Sequence, residues 1–260
     1  MKPVALTIAG SDPSGGAGIQ ADLKTFHQFG AYGEAVITLI TVQNTRAVDR
    51  VEVLDPDLVG QQIAAVVNDI PPLAAKTGAL GNAGVVRAVA AMARGFSFPL
   101  VVDPVMISKH GAPLMEAGAR QAAMDELLPL AALVTPNLPE AAALAGFDVT
   151  GPGGMKDAAK AIFDRTGASV LVKGGHLDGD ALDILYHEGQ YCEFRSERFA
   201  TPHTHGTGCT YSAAITACLA LGLTLPDAVA RAKRFIARAI QSNPGLGGGC
   251  GPVNHHAEVV

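Results

Sequence analysis

Short apolar runs recur along the chain, each closed by small or polar residues and most followed by a stretch whose apolar positions repeat at helical spacing. The runs are Val4–Gly10, Ala35–Thr41, Leu73–Leu80, Leu100–Pro104, Ala132–Asn137, Ser169–Gly175 and Ala181–Tyr186. Their length and their bounding turn formers predict strands. Helical patterns cover Ala17–Phe29, Pro56–Asp69, Ala83–Arg94, Asn137–Ala145, Met155–Arg165, Thr207–Leu221 and Pro226–Ser242. Asp55 is placed to cap the second of these, with Pro56 at its first helical position. Strand alternating with helix predicts βα units on a largely parallel sheet. With no repeat, linker or break in composition, we expect one domain over residues 1–260. Its predicted fold is a three-layer α/β/α sandwich around a mostly parallel sheet. Ligands of such sheets bind beyond the carboxyl ends of the strands, so the polar residues after each run become candidates. Turn and cap chemistry would also account for many of them.

Composition narrows the class. At 260 residues the chain can bury a sizeable core, and 48% apolar content with 30 glycines suits a globular enzyme with tight turns. A net charge of −5 gives no basic field for nucleic acid. No apolar run approaches the ~18 residues of a membrane span. Val4–Ala9 runs directly into Ser11–Asp12 without a small-residue cleavage site, so it reads as a first strand. Cys192, Cys209, Cys218 and Cys250 show no C-x-x-C spacing and read as free thiols of a cytoplasmic protein. Gly245–Gly251 is the one low-complexity patch.

Two glycine loops carry candidate chemistry. Gly10–Lys24 joins a strand to a helix, where exposed N–H groups can face an anion. Gly16–Ala21 fits the G-x-G-x-x-A spacing, but the second strand ends at Val42-Gln43-Asn44 without the carboxylate that holds a ribose. Gly10–Gly15 has P-loop glycine spacing, yet Gly16-Ala17 stands where Lys-Ser/Thr is required, which excludes a Walker-type site. A tight turn without ligand is the alternative reading of this loop. The second loop, Thr204–Thr210, opens an apolar helix. Gly206, Thr207 and Gly208 let unpaired N–H groups converge as an anion hole. Cys209 lies in the first helical turn, where the helix dipole favours thiolate. Its alternative is plain packing, the role expected of Cys218 in the same helix.

Gly10–Lys24, Gln43-Asn44-Thr45, Thr135–Glu140, Lys173–His176 and Thr204–Thr210 together resemble, in order and nearly end to end, the hydroxymethylpyrimidine kinase family of the ribokinase-like superfamily. The resemblance implies ATP-dependent phosphorylation of an aminopyrimidine alcohol, then of its monophosphate, in thiamine biosynthesis. It gives Cys209 the role of catalytic base, beside an anion hole of Gly206, Thr207 and Gly208. It sets Lys173 on the nucleotide phosphates, with Thr135, Asn137 and Thr204 in the ATP site. Glu140 then organises Mg²⁺ through water, although Asn137 to Glu140 also spells a capping box. Asp103 adds charge near the metal, or simply makes an Asp-Pro turn. Gln43 reads the aminopyrimidine edge, to which a carboxamide offers both a donor and an acceptor. Gly10, Asp12, Ala17, Asp22 and the backbone of Val105 complete that pocket, and a solvent-facing Asp22 is the alternative.

Some residues depart from the family pattern. Ala79 replaces a methionine of several relatives and widens the pocket, and Tyr211 and the Gly245–Gly251 stretch also differ. His205, His255 and His256 lack zinc spacing and read as loop and tail histidines. A homodimer and a monovalent-cation requirement are further implications of the resemblance. The competing activity is a pyridoxal or pyridoxamine kinase, against which Gln43 speaks. A regulator that binds without turnover is disfavoured by intact Lys173, Glu140 and Cys209, and a dinucleotide oxidoreductase by the missing carboxylate.

Overall fold

Strand after strand places alternate side chains on opposite faces, and in this chain both faces are apolar. The sheet must therefore be covered on both sides. The computed structural model, which describes residues 2–107, 111–175 and 179–260, has that arrangement. The strands are β1 (Val4–Ser11), β2 (Tyr32–Gln43), β3 (Val48–Val53), β4 (Ala74–Thr77), β5 (Leu100–Val102), β6 (Leu133–Val134), β7 (Ser169–Lys173), β8 (Ala181–His187) and β9 (Gln190–Ser196). The helices are α1 (Gly18–Gln28), α2 (Pro56–Asp69), α3 (Ala83–Ala93), α4 (Ala117–Ala122), α5 (Leu138–Ala145), α6 (Gly151–Thr166), α7 (Thr207–Ala220) and α8 (Leu225–Gln241). All nine strands form one sheet in the order β3-β2-β1-β4-β5-β6-β7-β8-β9. From β2 through β7 neighbours pair parallel, while β2–β3, β7–β8 and β8–β9 pair antiparallel.

The alternation is visible residue by residue. Leu6, Ile8, Leu100, Val102, Val134, Val170 and Val172 pack into a core with α2 to α6. Ala5, Val101, Leu133 and Leu171 point the other way, into a core with α1, α7 and α8. α8 buries Ala228, Val229, Ala232, Phe235, Ile236 and Ala239, one stripe at helical spacing. α2 begins as expected, with the Asp55 side chain accepting from the Asp57 and Leu58 N–H groups.

The structure adds elements the pattern does not announce. β3 and β9 are polar edge strands, and α4 is a six-residue helix that runs on into a π-helical turn at Ala123–Leu127. α6 starts at Gly151 rather than Met155: Pro152 suits the first turn, and it carries the poor helix formers beside it. α1 starts at Gly18, with Ala17 as its extended N-cap.

Candidate active site

Because β1, β2 and β4 to β7 run parallel, their carboxyl ends share one edge of the sheet. The loop after β1 is built around Asp12, which is buried. Its carboxylate accepts from the Ser14 N–H (2.8 Å), Ser14 Oγ (2.7 Å), the Gly16 N–H (3.1 Å) and the Ala17 N–H (2.8 Å), and meets His205 Nε2 at 2.8 Å. Burial alone would raise its pKa, but His205 and Ser14 more than offset this and hold it below the usual carboxylate range. Asp12 is thus committed to the protein's own loops. His205 lies in a loop, as expected, but is buried against Asp12. His255 is also buried, its Nε2 3.1 Å from Thr210 Oγ1, and only His256 is exposed as a tail residue would be.

α7 starts at the same edge. Its N-cap Gly206 has φ +76°, the left-handed region, and a Cβ there would run into the Gly16 carbonyl. Only glycine allows that backbone contact. Thr207 turns both its N–H (3.3 Å) and its Oγ1 (2.8 Å) to the Thr204 carbonyl. Helix geometry leaves the Gly208 and Cys209 N–H groups without acceptors inside the helix. The open side of Gly208 faces charge: a Cβ built there would lie 3.6 Å from Lys173 Nζ and 3.7 Å from Asp103 Oδ2.

Lys173, the last residue of β7, pairs with Asp103 at 2.8 Å. Asp103 also accepts from Thr135 Oγ1 (3.1 Å) and Ser212 Oγ (3.4 Å). It is fully enclosed, so it is more than a turn residue. Burial would push its pKa up, but the ammonium groups of Lys173 and Lys76 hold it down. Thr135 spends its hydroxyl on Asp103, and Thr204 its carbonyl on Thr207. Asn137 caps α5 with both halves of the capping box: its Oδ1 accepts from the Glu140 N–H, and Glu140 Oε2 from the Asn137 N–H, each at 2.9 Å. Glu140 is buried, and this lifts its pKa to about 7 against the pull of Lys173.

A second buried pair lies beneath Cys209. Asp22 is wholly enclosed, receives Lys76 Nζ at 2.8 Å and Thr7 Oγ1 at 2.6 Å, and is not the solvent-facing residue of the alternative reading. The Cys209 thiol feels the Lys76 ammonium and the Gly18 N–H donates toward its sulfur, yet burial pushes its pKa up to about 11. The helix dipole was expected to favour thiolate here, and desolvation outweighs it. Cys218 is fully buried, as a packing residue should be.

Cys209, Gly208, Lys173, Asp103, Thr135 and Glu140 therefore gather around the ends of β5 to β7. Gln43 ends β2, separated from β7 by four strands, and is partly exposed. Gly10 lies near the end of β1 against Leu39, Ala79 follows β4 with its carbonyl bonded to Thr38, and Val105 turns back to the Asp103 carbonyl. His176, the last residue of its motif, falls outside the described residues. Lys76 and His205 were not singled out for a role from sequence. For Lys76 the available signal was a lysine inside an otherwise apolar buried strand.

Residues 12–254 match the phosphomethylpyrimidine kinase family. The chain belongs to that family. A hydroxymethylpyrimidine/phosphomethylpyrimidine kinase of Staphylococcus aureus is 45% identical, over 99% of this chain and 95% of that protein. The thiamine biosynthesis bifunctional protein ThiED of Geobacter sulfurreducens is 47% identical over 96% of this chain, which spans 51% of it. Among solved structures, the phosphomethylpyrimidine kinase of Clostridium difficile superposes with TM-score 0.82 at 44% identity, covering 92% of this chain and all of that one. A Bacillus subtilis pyridoxal kinase with bound ADP gives 0.91 at 39% identity, covering 99% of this chain and 98% of that one. The expected fold and kinase class are borne out for this family member. Among the described residues no helix is long and apolar enough to cross a membrane.

Proposed function

We propose that the residues at the carboxyl edge divide between them the ATP-dependent phosphorylation of a hydroxymethylpyrimidine, and then of its monophosphate, in thiamine biosynthesis. Phosphoryl transfer needs an aligned hydroxyl and a neutralised γ-phosphate more than covalent chemistry. The observation that carries the assignment is the start of α7: the Gly208 and Cys209 N–H groups, which have no acceptor inside the helix, meet Lys173 and the Cys209 thiol there. Lys173 and the N–H groups of Gly208 and Cys209 hold the transferring phosphoryl group. Asp103 holds Lys173 in place. Cys209, as thiolate, takes the proton of the acceptor hydroxyl, and Lys76 beneath it favours the charged form. Gln43 holds the aminopyrimidine edge, with Gly10, Ala17, Ala79 and the Val105 backbone around it.

Glu140 suits a magnesium ion that keeps most of its water, because it is a buried carboxylate that lacks enough positive charge to ionise fully at neutral pH. Mg²⁺ when bound would neutralise nucleotide phosphate charge, with Glu140 holding it through water. The four free cysteines support action in the cytosol, and the single sheet supports one domain over 1–260. A homodimer rests on the family resemblance alone.

Cys209→Ala tests the assignment. General-base removal costs about 10²–10⁴ in kcat, with KM for both substrates little changed. Near-wild-type turnover would make Cys209 a packing residue like Cys218.

A further inference from the structure

Asp12 and His205 are 193 residues apart in sequence, and their buried hydrogen bond, Asp12 Oδ2 to His205 Nε2, joins the two glycine loops. Asp12 is 1% exposed and His205 4%. We propose that Asp12 and His205 are positioning residues for phosphoryl transfer, locking the start of α7 against the first loop so that the Gly208 and Cys209 N–H groups and the Cys209 thiol keep one geometry.

Four observations converge on this. First, Asp12 gathers its own loop, because its two carboxylate oxygens take the N–H groups of Ser14, Gly16 and Ala17, so its position fixes theirs. Second, His205 is held from behind. Its N–H donates to the Gly251 carbonyl (3.0 Å), and its carbonyl accepts from the Val253 N–H (3.4 Å). The imidazole thus bridges a pinned backbone to a carboxylate that organises another loop. Third, the loops touch directly: a Cβ on Gly206 would strike the Gly16 carbonyl, and one on Gly16 would come within 2.6 Å of the His205 ring. Fourth, the reactive sulfur depends on both loops. Cys209 lies three residues after Gly206, and the Gly18 N–H, six residues after Asp12, donates toward its sulfur. A slip between the loops therefore moves the thiol relative to the phosphoryl site, and misplacement of about 1 Å can cost on the order of 10²-fold in rate.

The test compares His205→Ala, His205→Gln and Asp12→Asn by steady-state kinetics and by amide exchange in the folded proteins. Expected is a kcat about tenfold to a hundredfold lower in His205→Ala, with KM for ATP nearly unchanged and faster exchange at Gly16–Gly18 and Gly206–Cys209. His205→Gln keeps an N–H toward Asp12 and should recover much of the rate. Only the kcat arm rests on the proposed kinase roles. Exchange needs no substrate, so unchanged exchange in His205→Ala refutes the clamp itself, while faster exchange with intact kcat refutes its catalytic consequence. If His205→Ala does not fold, the other two decide: the proposal expects Asp12→Asn to lose more rate than His205→Gln, and the reverse order overturns it.

Discussion

Burial lifts the Cys209 pKa to about 11 and the Lys76 ammonium recovers only part of that cost, so in the protein without substrates the thiol is protonated at neutral pH. The thiolate, not the thiol, attacks alkylating reagents. Iodoacetamide labelling of Cys209, followed by peptide mass spectrometry, should therefore rise about tenfold per pH unit from neutral to mildly alkaline pH. A rate already flat above pH 7 would show a depressed pKa and restore the helix-dipole expectation. Glu34 gives a second pH test. Burial first, and Asp69 second, raise its pKa to about 7, and its Oε2 has no hydrogen-bond partner among the described residues. The folded state holds that proton more tightly than the unfolded chain does. The associated stability is full below the unfolded pKa near 4.5 and is lost as pH rises through about 7. Glu34→Gln should flatten the fall in Tm between those values, and parallel melting curves for variant and wild type would contradict this. Glu140 shifts the same way and leaves part of the slope in place. At this scale the sequence displayed the chemistry of Lys173, Asn137–Glu140 and Cys209. It did not display their environment, because a pKa depends on burial and on neighbours distant in the chain.

The helices α1, α3, α7 and α8 formed where their apolar pattern placed them, with ends shifted by a residue. The exceptions share a cause. β3 and β9 lie at or next to a sheet edge, where water satisfies polar side chains and the sequence carries little apolar signal. α4 is too short to show a period. The start of α7 was legible because a glycine before an apolar helix has few other uses, but the reason for Gly206 is tertiary. Its left-handed φ is worth about 1–2 kcal/mol against a non-glycine residue. Gly146 caps α5 at φ +86° with open space where a Cβ would go. Urea denaturation should thus find Gly206→Ala clearly more destabilising than Gly146→Ala, the excess measuring the contact with Gly16. Equal losses would mean that the loops do not press on one another.

At the scale of the whole molecule, the parallel strands carry residues from the whole chain to one edge. Asp22 and Lys76 are 54 residues apart, Asp103 and Lys173 are 70, and Asp12 and His205 are 193. The sheet and its covering helices could be read from alternation alone. These pairings could not, since nothing local says which lysine a buried aspartate meets. Gln43 stands at the same edge with four strands between β2 and β7, and its proposed role is to read the acceptor. Solved relatives include pyridoxal kinases as well as a phosphomethylpyrimidine kinase, so the acceptor is the most consequential assignment. The direct measurement is kcat/KM with ATP and Mg²⁺ for hydroxymethylpyrimidine, its monophosphate and pyridoxal, using the wild type and Gln43→Ala. The account predicts that the wild type prefers both pyrimidines over pyridoxal and that Gln43→Ala loses that preference; a wild type that prefers pyridoxal would contradict it.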